Sequence, residues 1–107
     1  MNSYYAVIFT SQRTDDDNEG YAKMADAMEV LAKQQPGFLR VESSRNQEGQ
    51  GITVSYWESL EAIQKWRDNT KHTVAQQLGK ETWYSHYQVE ICQVLRSYSF
   101  KEDSTAQ

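Results

Sequence analysis

At 107 residues the chain suits one compact domain and excludes two, because single domains run to roughly 100–150 residues. A net charge of -4, with 11 Lys and Arg scattered along the sequence, excludes the clustered basic surface that nucleic-acid binding needs. No apolar run approaches the ~20 residues that cross a bilayer, so no membrane partner is expected either.

The first apolar run, Tyr4-Tyr5-Ala6-Val7-Ile8-Phe9, is rich in β-formers and reads as a strand. It does not alternate with polar residues, which implies burial on both faces. Asp15, Asp16, Asp17, Asn18 and Glu19 then place carboxylates and amide oxygens where a helix begins, matching its positive N-terminal end. Tyr21, Met24, Ala25, Met28, Leu31 and Ala32 recur at spacings of three and four as one apolar stripe, ended by Pro36-Gly37.

Phe38–Ser44 and Ile52–Trp57 alternate as strands, and the intervening Asn46-Gln47-Glu48-Gly49-Gln50-Gly51 is turn chemistry, so a hairpin is expected. Ser59 is placed to cap a second helix carrying Leu60, Ile63 and Trp66 on one face. Val74 and Leu78 suggest a short further helix with a stop at Gly79. A long last strand from about residue 86 to 98 carries Val89, Ile91 and Leu95 on one face and Cys92 and Val94 on the other. Residues 101–107 form a polar tail, outside a single domain of residues 1–100.

Strand, helix, strand, strand, helix, strand is the order of the ferredoxin-like α+β fold: a four-stranded antiparallel sheet with helices on one face. Strands one and four read as buried on both faces and so need cover on the second face as well, and a second copy of the chain is the economical source. A homodimer is therefore expected.

The single cysteine, Cys92, excludes an intrachain disulfide and a thiolate cluster, and its expected place is the core. The start Met1-Asn2-Ser3-Tyr4 has neither a basic nor a long apolar leader region, so a cytoplasmic location is expected. Gly49 and Gly51 lie in a hairpin turn and not at the start of a helix, which removes a dinucleotide loop. Two histidines without neighbouring ligands do not make a metal site, and no nucleophile elbow is present.

The run Gly51-Ile52-Thr53-Val54-Ser55-Tyr56-Trp57-Glu58-Ser59-Leu60-Glu61-Ala62-Ile63, continuing through Trp66 and His72 to Gly79-Lys80-Glu81-Thr82-Trp83-Tyr84, resembles the antibiotic biosynthesis monooxygenase family of dimeric α+β barrels. The resemblance implies a small monooxygenase that oxidises an aromatic or polycyclic substrate with molecular oxygen and uses no cofactor. His72 is the expected base and Trp66 its catalytic neighbour. Tyr56, Trp83 and Tyr84 are the expected aromatic walls for a small aromatic molecule; His86 is a weaker candidate. A protein that binds small molecules without turnover on the same fold is the alternative. The haem-degrading branch of the superfamily fits less well, because no Asn stands in Tyr4–Thr10 and Val74-Ala75-Gln76-Gln77 occupies the segment where its ligating His is expected. Each residue also has a plain packing role open to it: Trp66 shares the core-facing stripe of Leu60 and Ile63, and His72 sits in a polar stretch.

Overall fold

A computed structural model describes residues 3–102; residues 103–107, most of the expected polar tail, lie outside it. The elements run β1 (Tyr4–Arg13), α1 (Asn18–Lys33), β2 (Phe38–Arg45), β3 (Gln50–Trp57), α2 (Leu60–Asp68), α3 (Thr70–Leu78), a π-helical turn (Gly79–Trp83) and β4 (Tyr84–Val94). The four strands form one sheet in the order β2-β3-β1-β4, every neighbouring pair antiparallel. This is the ferredoxin-like arrangement, with β1 and β3 central.

Register decides which side chains share a face, because successive residues of a strand point to opposite sides. Tyr5 pairs with Trp57, Val7 with Ser55 and Ile91, Phe9 with Thr53 and Val89, and Ser11 with Gly51 and Tyr87. These form the face under the helices. Ala6 pairs with Tyr56 and Cys92, Ile8 with Val54, Thr10 with Ile52, and Tyr4 with Val94, which makes a second, outer face whose apolar centre is flanked by Arg40, Glu42 and Ser44 of β2 and by His86, Gln88 and Glu90 of β4.

The core sits where β3 meets α2. Trp57 is completely buried and its indole Nε1 donates to Ser55 Oγ at 2.9 Å, so the ring is sealed without an unmet donor. Ala62 and Ile63 of α2 close over it, and Tyr5, Val7, Phe38 and Trp66 pack around the edge. Ser59 caps α2 by accepting from the Ala62 amide at 3.0 Å. Gly37, at φ 84°, lets the chain turn into β2 beneath that helix; a Cβ there would stand 2.6 Å from the Ala62 methyl. The acidic run works as a helix start. Asp17 accepts from the Gly20 amide at 3.1 Å, and its other oxygen accepts from Trp83 Nε1 at 3.2 Å.

Several expectations are corrected. β1 continues to Arg13 through a polar stretch, because Thr10 to Gln12 find ladder partners on both β3 and β4 and Arg13 pairs with Tyr84 of β4. Gly79 does not stop the third helix: its φ of -59° is helical, and the chain runs on into the π turn before β4 begins at Tyr84. β4 ends at Val94, and Leu95, Tyr98 and Phe100 stand 85–89% exposed. β4 is also an edge strand, and Val89 and Ile91 on its helix-side face are nearly half exposed, so within one chain the helices cover it only in part. Cys92 is exposed on the outer face and is not a core residue. Leu60 and Ala25 face solvent, while Ile63 and Ala32 carry the burial of their helices.

Trp57 therefore carries most of the junction between the layers. Trp57→Ala should lower unfolding free energy by about 3–5 kcal/mol, the usual cost of emptying a buried aromatic site. Ser59→Ala should cost about 1 kcal/mol. Urea unfolding followed by far-UV circular dichroism measures both; equal effects would contradict the central place given to Trp57.

Candidate functional site

Trp66 and His72 come together across the short link between α2 and α3. The link is built by Asn69, whose carboxamide oxygen accepts from the Lys71 amide at 3.0 Å and whose own amide donates to the Trp66 carbonyl at 3.1 Å. The turn brings the imidazole of His72 flat onto the Trp66 indole, with ring centroids 4.3 Å apart and planes within 14°. Trp66 in turn lies against Trp57 at 6.0 Å and 25°. The result is a three-ring stack that begins in the core and ends at a titratable group.

His72 Nδ1 lies 3.0 Å from the Trp66 carbonyl oxygen. A carbonyl can only accept, so the proton of the neutral ring belongs on Nδ1, and the lone pair is left on Nε2. Nε2 has no protein partner among the described residues, and it is not sealed from solvent, since no buried nitrogen or oxygen of a side chain lacks a partner. The pKa of His72 is held below its ordinary 6.5, chiefly by desolvation; the Trp66 carbonyl opposes this by favouring the charged ring, and the Arg67 charge adds a smaller lowering. At neutral pH the group is thus an oriented neutral base with one free nitrogen.

The expected aromatic walls do not gather here. Tyr56 is on the outer face, where the Arg40 guanidinium covers its ring at 3.8 Å and Tyr4 lies 6.2 Å away. Trp83 is buried with its indole tied to Asp17, and Tyr84 lies with Tyr21, Phe9 and Tyr87 at ring separations of 5.4–5.9 Å. That second aromatic cluster sits at the opposite end of the helix-side face from Trp66 and His72. Burial pushes the Tyr84 hydroxyl well above its usual range, and the neighbouring Tyr21 hydroxyl adds to the effect. His86 is exposed on the outer side of β4. Among the described residues no three potential metal ligands come together.

Two residues of this second cluster escaped the sequence reading: Arg13, whose guanidinium lies 4.1 Å over the Tyr21 ring, and Arg45, which donates to the Tyr21 hydroxyl at 3.2 Å. The available signal was the hairpin itself, since a turn from Asn46 to Gly49 sets Arg45 opposite Gly51.

The four-stranded antiparallel sheet with its helices on one face defines a ferredoxin-like α+β protein. The sequence model of the antibiotic biosynthesis monooxygenase family matches residues 4–78, and the chain belongs to that family. It is 48% identical over 101 residues to the uncharacterized protein YqjZ of Bacillus subtilis (strain 168), covering 94% of this chain and 88% of that protein. In three dimensions it superposes on Rv0793 from Mycobacterium tuberculosis with a TM-score of 0.78 at 16% identity, covering 90% of this chain and 99% of that one. It also superposes on a mutant of SnoaB, a cofactor-independent oxygenase from Streptomyces nogalater, with a TM-score of 0.71 at 9% identity, covering 91% and 97% of the two chains. At these identities the superpositions speak for the fold.

The lowered pKa of His72 has a consequence for stability. The unfolded chain takes up the His72 proton near pH 6.5, whereas the folded chain resists it until a lower pH. The contribution of His72 to stability is therefore complete above pH 6.5 and is lost as pH falls from there through the folded value. Urea unfolding at pH 7.5 and 5.5 should show a larger loss for the wild type than for His72→Asn. Proton NMR titration of the His72 ring giving a midpoint at or above 6.5 would contradict the desolvated site.

Proposed function

We propose that the protein is a small monooxygenase that oxidises an electron-rich aromatic or polycyclic phenol with molecular oxygen and needs no cofactor, with His72 as the base. The observation that carries this reading is the His72 ring: stacked on Trp66, tied through Nδ1 and free at Nε2. Family membership and the likeness in fold to a cofactor-independent oxygenase support it. A neutral imidazole with a free ring nitrogen is suited to taking the phenolic proton. The resulting phenolate is the electron-rich form that oxygen attacks. Where the ring system carries a CH2 beside it, oxidation to a carbonyl supplies four electrons and two hydrogens: one oxygen atom enters the product and the other leaves as water. Trp66 offers a flat surface beside the base, and its contact with Trp57 fixes the plane of that surface.

We further propose that two copies meet through their outer sheet faces as an α+β barrel. Tyr4, Ala6, Ile8, Ile52, Val54 and Val94 form the apolar part of that face, with Arg40, Glu42 and Glu90 at its margins; the helices all lie on the other face, and Ile52 is 44% exposed. An exposed apolar patch of that kind marks an interaction surface, and a second copy of the chain is the occupant we propose.

Two experiments test these readings. Oxygen uptake with hydroquinones or anthrones, without added cofactor, should fall by about 10²–10⁴ in His72→Ala, the usual contribution of a positioned base. Ligand binding seen as tryptophan quenching but no uptake with any such substrate would favour a binding protein, a role that the packing of Trp66 against the core also serves. Sedimentation equilibrium should give a dimer for the wild type and a monomer of 12.4 kDa for Val94→Asp, since an unpaired charge is costly in a dry interface. A monomeric wild type would remove the barrel.

A further inference from the structure

At the far end of the helix-side face, the Arg45 guanidinium lies across β3 directly over Gly51. A Cβ at that position would collide with the guanidinium carbon and both of its terminal nitrogens, so glycine is what allows the side chain to lie there. Nη1 donates to the Gly49 carbonyl at 2.6 Å; Nη2 donates to Ser11 Oγ at 2.9 Å and to the Tyr21 hydroxyl at 3.2 Å. Every one of these acceptors is neutral. Among the described residues the ion pairs are Lys23 with Glu19 and Arg40 with Glu42, so no carboxylate lies within salt-bridge distance of Arg45 or of the nearby Arg13. Tyr84, whose ring lies 5.9 Å from the guanidinium, is held protonated by burial and brings no negative charge. Arg45 is thus held in place by three bonds, with only the Tyr21 and Tyr84 rings and no carboxylate near its charge, and among the described residues Nε–H and one Nη1 hydrogen have no protein partner.

The guanidinium borders a cleft of about 280 Å³ lined by Tyr21, Ser43, Ser44, Arg45 and Thr53. Hydroxyls on the walls and one fixed cation at the end are the donor set for a single planar anion. Arg13 adds a second positive charge behind the Tyr21 ring but spends its own donors on the Trp83 and Asp16 carbonyls and on Asn18 Oδ1. One accessible cation suits a carboxylate better than a doubly charged phosphate. In a chain of net charge -4 this is a local exception, which a ligand carrying a carboxylate would find by its field.

We propose that this cleft is a binding site for the carboxylate of a small organic acid, held by Arg45 with Ser43, Thr53 and Tyr21 as hydroxyl partners. The site is separate from the Trp66–His72 stack: Gly51 and Trp57 stand at the two ends of β3, about 20 Å apart at ~3.4 Å per residue. Whether His72 is a base does not bear on it, and His72→Ala should leave it intact.

Benzoate and its uncharged isostere benzamide are the probes, followed by 15N–1H NMR on the whole chain. Benzoate should shift the Arg45 Nε–Hε and Gly51 amide signals saturably and bind at least about tenfold more tightly than benzamide, as a charge-assisted bond requires. Arg45→Gln should bring benzoate down to the level of benzamide. Gly51→Ala keeps the charge but displaces the guanidinium, and should give the same loss; the spectra themselves report whether each variant is folded. Equal affinity for the two probes would overturn the proposal, as would a benzoate preference that survives in folded Arg45→Gln or shifts confined to Trp66 and His72.

Discussion

The burial of one indole at the end of β3 organises much of the structure. Trp57 is the only residue among the described ones with a large side chain fully removed from solvent, and it touches both layers: Phe38 from the sheet at 5.4 Å between rings, and Ile63 and Trp66 from α2. Its Nε1 is satisfied by Ser55 on its own strand, so α2 can meet it with purely apolar groups. Because Trp57 sets where Trp66 lies, and Trp66 sets where His72 lies, the chemistry of the proposed site rests on a packing interaction two rings away. Rigid support of this kind is what a positioned base needs.

The two ends of the helix-side face differ in chemical character for a reason visible along β3. Its residues on that face run Gly51, Thr53, Ser55, Trp57, from no side chain through hydroxyls to a buried indole. The glycine end admits a charged guanidinium lying flat; the tryptophan end admits only apolar rings. Asp17 joins the polar end to the start of α1 by bonding both the Gly20 amide and the Trp83 indole, so the helix cap and the second aromatic cluster share one carboxylate. The opposite face of the same sheet carries neither arrangement. It carries Ala6, Ile8 and Val54 at its centre, Arg40 over the Tyr56 ring to one side, and the exposed thiol of Cys92 to the other.

Much of the fold was legible from local signals, because each helix and hairpin announces itself within a short stretch. The acidic run before α1, Ser59 before α2, and the turn from Asn46 to Gly49 all rest on interactions spanning two to four residues. Strand order follows once the βαββαβ pattern is recognised. The exposed state of β4 and Cys92 was not legible, since apolar composition marks a surface that needs burial without saying whether the same chain provides it. Gly79 misled for a related reason: glycine permits a helix stop but equally permits the Tyr84 ring to lie 3.0 Å from where a Cβ would be, and the latter is what the structure uses.

The amino-acid sequence by itself determined the element order, the ferredoxin-like class, the family resemblance and the presence of a His and a Trp close enough in the chain to meet. Only the tertiary structure decided that His72 lies flat on Trp66 with Nδ1 committed to a carbonyl, and that Tyr56 belongs to the outer face while Trp83 and Tyr84 join Tyr21 and the arginines. The physical reason is range. Caps, turns and periodicity are set by neighbours a few residues apart, whereas the partner of a ring or a guanidinium is chosen by strand register and by the crossing of a helix over a sheet. Arg45 meets Ser11 across 34 positions of the chain, and no local pattern encodes that meeting.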